Sequence, residues 1–334
     1  MTIVPSPSVG GTGQVQEYWV QADSFLRNIA ANGRDDYLGV TYSASDTSYQ
    51  FVGYRAYTAQ WQEPLPPDGD IGANDGIPGP VIRGQPGDTI VIHFRNNDTH
   101  YNFPHSIHAH GLLYTPDNDG AWSNRDSRAL ATALFPGESC TYRYSVPENA
   151  IGCWLYYDYS MPESLVHRKS LRNMQSRGLT TQAQPGDPDQ QYMPMASELG
   201  LFGMVVIENQ TPQRVDRENI VVFHDLYSDD LGAMSQDFDC INGHSFLSNT
   251  PTFQAKVGDR VRWRVAAMGR ETHVFHIHGH RWMSKGCYTD TLILGPASTG
   301  TIEYTEESPG SWLYHCHITE HMMGGMAGLY VVTA

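Results

Sequence analysis

The sequence predicts an all-β protein with two β-sandwich domains, and three observations carry this prediction. Short runs rich in β-branched and aromatic residues alternate with Gly, Pro, Asn and Asp, as in folds built from many short strands. The chain has 334 residues, whereas one antiparallel sandwich takes about 100 to 150. A Gly-Asp turn that precedes a strand-like run occurs in each half, at residues 80–88 and 253–259, which indicates an internal repeat.

The expected strands follow in chain order, and each is bounded by turn residues. The first half supplies four runs, at residues 18–22, 89–94, 141–146 and 204–207. The second half supplies four more, at residues 220–223, 260–265, 311–314 and 328–332. Their length of four to six residues is typical of sandwich strands.

The two domains are predicted to span residues 1–210 and 211–334, with the boundary in the polar segment 209–215. The first domain contains an insertion at about residues 161–199 that is far longer than an ordinary loop. We expect this insertion either to be a surface loop or to cap the site described below, with Met193 and Met195 as spare sulfur ligands.

The charge of the chain excludes two classes of partner. The net charge is −15, and the only short basic cluster lies at residues 167–172. Nucleic acids and anionic membranes both select a basic face, so no nucleic acid and no membrane is expected as a partner. No run of 18 apolar residues is present to span a bilayer.

The N-terminus and the cysteines bear on the compartment. The first 13 residues have neither the basic nor the apolar region of a secretory signal, so the chain as written is expected to be cytoplasmic, or secreted if its N-terminus has been trimmed. Of five cysteines, Cys316 is a candidate metal ligand. Cys140 and Cys153 are placed where they could form a bridge, but free thiols are expected in a reducing compartment.

A segment near the C-terminus predicts a copper site. It reads His315-Cys316-His317, followed by His321 and Met326. A thiolate, two imidazoles and a weak thioether form the ligand set of blue-copper electron-transfer sites. His273, upstream after a strand-like run, supplies the second imidazole.

Eight of the fifteen histidines fall in three short segments, at residues 108–110, 273–278 and 315–321. Alternate residues of a strand share a face, so each segment presents one His-x-His pair. Three such pairs give six imidazoles, which suit a centre of two or three metal ions. Because Cys316 lies between His315 and His317, it would connect that centre to the blue-copper site.

These motifs resemble three of the four copper motifs of the multicopper oxidases. The order and spacing are most similar to the small two-domain bacterial laccases, from about Tyr18 to Val332. The resemblance implies two cupredoxin-like Greek-key sandwiches that assemble as a homotrimer.

The resemblance also implies which residues bind copper. These are type 1 ligands at His273, Cys316, His321 and Met326, type 2 ligands at His108 and His276, and type 3 ligands at His110, His278, His315 and His317. It further implies that Tyr114 lies near the type 2 copper and that Asp290 is an outer carboxylate.

The fourth motif departs from the family. Where the family has Trp-His-Tyr-His-Asp-His, this chain has tyrosines at both expected type 3 ligand positions, Tyr157 and Tyr159. Three alternatives stay open. In the first, the phenolates of these tyrosines or the imidazole of His167 bind copper and preserve a modified trinuclear cluster. In the second the type 3 pair is absent and type 1 and type 2 coppers remain, and in the third only the type 1 site functions. A packing role is a further alternative, in which the tyrosine hydroxyls bond to the nearby histidines.

The predicted function is a copper-dependent, laccase-like oxidoreductase. It would oxidise a phenolic or aminophenolic small molecule or an aromatic amine in single-electron steps, with dioxygen as the acceptor. A copper protein of electron transfer or copper binding is the alternative. Reduction of a small oxyanion, as in copper nitrite reductases, is a third reading that the position of the type 1 motif in the second domain disfavours.

Overall fold

The structure, a computed structural model, describes residues 13–121, 134–160, 198–209, 211, 214–228 and 236–334. The predicted insertion at about 161–199 lies almost wholly outside the described residues, as do His167, Met193 and Met195. No helix in the described ranges has the length and apolar character needed to cross a bilayer.

The structure is nearly all β, which confirms the predicted fold class. In the first half the strands are β1 Val15–Asn28, β2 Arg34–Asp35, β3 Val40–Thr41, β4 Ser48–Tyr57, β5 Ile82–Gly84, β6 Thr89–Asn97, β7 His108–Ala109, β8 Ser139–Ser145, β9 Gly152–Tyr157 and β10 Phe202–Ile207. In the second half they are β11 Arg217–Leu226, β12 Phe238–Ile241, β13 Phe253–Lys256, β14 Arg260–Met268, β15 His273–Ile277, β16 Trp282–Ser284, β17 Cys287–Thr289, β18 Thr291–Leu294, β19 Thr299–Thr305, β20 Gly310–Cys316 and β21 Ala327–Thr333. Two short α-helices, α1 Ala44–Thr47 and α2 Thr319–Met323, and two 3-10 turns, Ala59–Trp61 and Pro116–Asn118, complete the described elements.

Each half contains two sheets of matching topology. In the first half the strand orders are β4-β1-β6-β8 and β5-β10-β9-β7; in the second they are β12-β11-β14-β19 and β13-β21-β20-β15-β18. Parallel pairing occurs at equivalent places, β1 with β6 and β5 with β10, then β11 with β14 and β13 with β21. The internal repeat expected from the Gly-Asp turns is therefore a repeat of the whole sandwich.

Apolar side chains form a core inside each sandwich and a third cluster between them. Tyr54 and Phe94 lie in the first core, and Trp263 and Tyr314 in the second. The third cluster packs side chains of β4, β9 and β10 against side chains of β11, β12 and β14. The predicted domain boundary between residues 210 and 211 falls between β10 and β11. These two strands contribute side chains to the third cluster from the first and the second half, respectively.

All five cysteines are within the described residues, and each is a free thiol. Cys140 and Cys153 do not bridge, in agreement with the expected thiol state. Cys153, on β9, instead faces the second half, where its sulfur lies 3.5 Å from the carbonyl oxygen of Gly300.

Candidate metal centres

A buried thiolate site lies where β15 begins and β20 ends. His273 is the first residue of β15, Cys316 is the last of β20, and His321 is on α2. The Cys316 sulfur lies 3.8 Å from Nδ1 of His273 and 3.6 Å from Nδ1 of His321, and the two nitrogens are 3.2 Å apart. Three of the four predicted type 1 ligands thus present their donor atoms to one point.

Met326, the fourth predicted type 1 ligand, is fully buried in the same core cluster as Cys316. Its backbone NH donates to the carbonyl of His321 at 3.0 Å, and its carbonyl accepts from the NH of Cys316 at 3.1 Å. The preceding Gly325 has φ of +124°, and a Cβ there would approach the carbonyl oxygen of Asp239 to 2.8 Å. A glycine is therefore required for the chain to turn back and hold Met326 beside the site.

The site stabilises positive charge, and a bound copper would displace the protons that its two imidazoles otherwise hold. Burial raises the pKa of the Cys316 thiol, but hydrogen bonds with His273 and His321 outweigh it and lower that pKa to about 6. Burial lowers the pKa of His273, yet contacts with Asp225 and Cys316 raise it to about 9. The bond to Cys316 likewise raises the pKa of His321 to about 9. A thiolate that two imidazole nitrogens approach is a donor set that fits copper.

Carboxylates contact the outer nitrogens of both imidazoles. Nε2 of His273 lies 3.4 Å from a carboxylate oxygen of buried Asp225, an ion-pair contact rather than a well-aligned hydrogen bond. Nε2 of His321 lies 2.9 Å from Glu271, which is half-exposed. Burial and the neighbouring Asp225 raise the pKa of Asp239 to about 8. Sequence reasoning missed these residues because none lies within the histidine motifs. Such partners orient metal ligands and tune their basicity.

A second group of imidazoles lies on the adjoining strands. His276 is paired with His315 across β15 and β20, and the ligand nitrogens of His276, His278 and His315 all lie within 4.8 Å of one another. Nδ1 of His315 donates to the carbonyl of Cys316 at 2.7 Å, and Nδ1 of His276 donates to the carbonyl of Asp290 at 2.8 Å. These bonds leave Nε2 of both rings as lone-pair donors.

The electrostatics of this second group favour the neutral form of two of its rings, His278 and His315. Burial lowers the pKa of His315 to about 4, and burial together with His276 and His317 lowers the pKa of His278. His317 is exposed, with its ring centroid 5.1 Å from that of His276. Neutral imidazoles are the form that binds metal ions.

The predicted back-to-back arrangement is present in the structure. Cys316 faces the thiolate site, whereas the preceding His315 faces the imidazole group, because successive residues of β20 point to opposite faces. One peptide unit therefore joins the two groups.

The histidines of the first half lie among tyrosines. The ring centroid of His108 is 5.4 Å from that of His110, 5.6 Å from Tyr157 and 5.8 Å from Tyr159. Nε2 of His110 is 3.0 Å from the hydroxyl of Tyr157. Burial and Tyr159 raise the pKa of Tyr157, and burial and His108 lower the pKa of His110. The phenol and the imidazole are therefore both neutral, and they share one hydrogen bond.

Tyr114 and Asp290 occupy different positions relative to the histidines. The ring of Tyr114 lies 6.2 Å from that of His108, and burial together with Asp119 raises its pKa to about 12. Asp290 contacts His276 through its backbone carbonyl, while the residue itself is exposed. The expected carboxylate role of Asp290 stays a prediction.

Two further histidines, which sequence reasoning did not single out, support the loops around these groups. His105 is fully buried between Asp158, at 2.6 Å, and Asp98, at 3.3 Å. His280 donates from Nδ1 to the carbonyl of His278 at 2.7 Å, and its Nε2 lies 3.1 Å from Glu306. Both positions are separated from the ligand motifs by only a few residues, but Asp158 and Glu306 come from other parts of the chain.

Comparison with known proteins decides the family. Residues 58–168 match one model described as multicopper oxidase, and residues 224–334 match a second with the same description, so together they cover about two thirds of the chain. The chain belongs to the multicopper oxidase family. Membership implies copper as the metal that these donor sets fit.

Relatives of this multicopper oxidase include much longer proteins. A probable nitrite reductase-hydroxylamine oxidoreductase fusion protein of Kuenenia stuttgartiensis is 30% identical over 77% of the chain and 27% of its own length. Hephaestin of Rattus norvegicus is 28% identical over 90% of the chain and 26% of its length. Ferroxidase HEPHL1 of Homo sapiens is 28% identical over 77% of the chain and 23% of its length. The chain spans about a quarter of the length of these relatives.

Solved structures match nearly the whole chain. A blue copper oxidase from Nitrosomonas europaea has a TM-score of 0.64 with 19% identity, covering 96% of this chain and 86% of that one. A copper nitrite reductase from the same organism has a TM-score of 0.60 with 18% identity, covering 96% and 94%. At this identity the likeness shows the fold, which is that of two cupredoxin-like sandwiches.

Proposed function

We propose that this multicopper oxidase oxidises a phenolic or aminophenolic small molecule, or an aromatic amine, in single-electron steps, with dioxygen as the acceptor. The observation that carries the proposal is the adjacency of Cys316 and His315. These consecutive residues belong to two separate donor groups, so the backbone supplies a short covalent route between them.

The protein's own residues would prepare the site in three ways. His273, Cys316, His321 and Met326 would hold a type 1 copper, which accepts one electron at a time when bound. Burial of Cys316 keeps water from the thiolate. His321, through half-exposed Glu271, connects the buried site to the surface, where a donor can approach.

Dioxygen uptake tests the proposal. Copper-loaded protein should consume dioxygen when supplied with a phenolic donor and should show the blue colour of a cupric thiolate. Cys316→Ser should abolish both, because an alkoxide is not formed at neutral pH and the sulfur ligand is gone. Cys287→Ser, at an exposed free thiol, is the matched control and should retain both. A colourless copper-loaded wild type would refute the type 1 assignment.

A ferrous ion is a second candidate donor, favoured by the carboxylate at the surface end of the site. Glu271 lies 2.9 Å from His321 and accepts a hydrogen bond from the hydroxyl of Tyr227 at 3.1 Å. Carboxylate oxygens suit hard divalent cations, and the chain carries a net charge of −15. One relative of the chain is named a ferroxidase.

Glu271→Gln distinguishes the two donors. If ferrous ion is the donor, the variant should lose most of its ferrous oxidation rate while phenol oxidation changes little, because only the cation needs the negative charge. Glu63→Gln, at an exposed carboxylate of the first half, is the control. Equal loss with both donors would assign Glu271 to positioning His321 and would remove the ferrous proposal.

We propose a homotrimer as the functional assembly, on the strength of the resemblance to two-domain laccases. The rings of His108 and His110 contact each other and tyrosines of the first half, while the other imidazole group is confined to the second half. Contact between neighbouring subunits would bring the two groups together. Light scattering should give three times the mass of the chain, and a monomer would refute the proposal.

A further inference from the structure

The donor groups do not fit the trinuclear cluster that the family resemblance implies. That cluster would take eight imidazoles, and two of the expected positions are Tyr157 and Tyr159. Of the six histidines that remain, His110 is engaged, because its Nε2 lies 3.0 Å from the hydroxyl of Tyr157. A neutral phenol and a neutral imidazole share one proton in this bond, so Nε2 of His110 is occupied whichever of the two groups donates.

Three other imidazoles already converge without help from the first half. The ligand nitrogens of His276, His278 and His315 are mutually within 4.8 Å, and Nε2 of His278 is 3.1 Å from Nε2 of His315. Backbone carbonyls fix His276 and His315 with their Nε2 atoms directed away from those bonds. Fixing one ring nitrogen in this way is how proteins orient histidine ligands.

The burial of these three residues gives the group one open side. His315 is buried, His276 is partly buried and His278 is exposed. Three protein ligands with an open position are the arrangement of a mononuclear catalytic metal site, whereas a closed shell serves a structural one.

We propose that each chain binds two coppers, one at the thiolate site and one mononuclear copper held by His276, His278 and His315 of the same chain. The proposal rests on the proposed function for the thiolate site. In it, Tyr157 withholds His110 from metal binding, so the coupled copper pair typical of the family is absent.

Metal analysis with electron paramagnetic resonance tests the proposal. Copper-loaded wild type should contain two coppers per chain, and counted spins should equal total copper, because two separate cupric ions are both paramagnetic. Cys316→Ser should retain one copper with an ordinary, non-blue signal. Four coppers per chain, or a spin count near half the copper, would reveal a coupled pair and overturn the proposal.

Single histidine variants locate the second copper. His278→Ala should lower copper to one per chain while the blue colour stays. His110→Ala should keep two coppers, and His100→Ala, an exposed histidine outside both groups, is the matched control. Loss of copper in His110→Ala, or two coppers in His278→Ala, would overturn the assignment.

The outcomes separate this proposal from the proposed function. A wild type without blue colour contradicts the thiolate site, and with it the proposed function. A blue wild type with four coppers leaves the proposed function standing and contradicts only the mononuclear site.

Discussion

At the scale of single residues, the donor atoms are held by partners that come from elsewhere in the chain. Asp225 contacts His273, Glu271 contacts His321, and the carbonyl of Asp290 contacts His276. Each contact occupies the ring nitrogen that faces away from the donor group. The motif residues therefore supply the ligand atoms, while residues of other strands and loops decide which nitrogen points inward.

Asp225→Asn should weaken copper binding at the thiolate site. The amide keeps the shape but removes the negative charge 3.4 Å from Nε2 of His273, which makes that ligand less basic. Loss of such an outer partner costs about 10- to 100-fold in metal affinity. Competition with a copper chelator measures the change. Asp70→Asn, an exposed carboxylate, is the control, and an unchanged affinity in Asp225→Asn would show that the contact has no role.

At the scale of elements, β20 contributes residues to both donor groups because successive side chains of a strand point to opposite faces. β20 directs Cys316 to one face and His315 to the other, and β15 directs His273 and His276 in the same manner. This was predicted from spacing, since alternation is a local property of strands. A buried ion-pair group beside β9 was not predicted, because His105, Asp98 and Asp158 are joined only by the fold.

The His105 group should make stability depend on pH. Burial lowers the pKa of His105, but Asp158 and Asp98 outweigh it and raise the pKa to about 9. Because the pKa in the folded state exceeds that of the unfolded chain, about 6.5, the stabilisation is complete below pH 6.5 and is lost as pH rises through 9. The contribution is about 3 kcal/mol, and urea unfolding across this pH range measures it.

His105→Gln is the comparison for this measurement. The variant should be less stable at pH about 6 and should lose less stability between there and pH about 9, since glutamine does not titrate. Parallel pH profiles of the two proteins would show that His105 does not carry the dependence. An NMR titration of the His105 ring in the wild type provides an independent reading.

At the scale of the whole molecule, two copies of one sandwich are joined by apolar side chains and by ion pairs. Arg264, almost fully buried, contacts Glu208 at 2.7 Å and Glu218 at 2.6 Å. Arg83 of the first half also contacts Glu218, at 2.7 Å. Glu208 and Arg83 belong to the first half and Arg264 to the second, so these pairs fix the two sandwiches relative to each other.

Arg264→Leu should destabilise this interface by about 2 kcal/mol, because it removes a buried cation from two partly buried carboxylates that keep only Arg262 and Arg83. Arg260→Leu, which removes a more exposed pair with Glu303, should cost about 1 kcal/mol or less. Urea unfolding measures both. Equal losses would show that the network across the halves contributes no more than a surface ion pair.

The copper count also sets the expected reaction product. If each chain binds the two proposed coppers, they would store two electrons, and the balanced reaction would be O2 with two electrons and two protons to hydrogen peroxide, with two donor molecules each losing one electron. We expect one hydrogen peroxide per dioxygen consumed, measured with an electrode and a peroxide assay. Four donor oxidations per dioxygen without peroxide would indicate reduction to water by a larger cluster.

The sequence by itself determined the fold class and the repeat, and it singled out Cys316 and His321, whose donor atoms the structure brings together with those of His273, because strand alternation and short ligand spacings are local properties. His315, Cys316 and His321 needed no knowledge of distant residues. Only the tertiary structure placed the hydroxyl of Tyr157 within hydrogen-bond distance of His110. It alone also supplied Asp225 and Glu271, since contacts between residues far apart in sequence depend on how the strands pack and are not encoded in any local pattern.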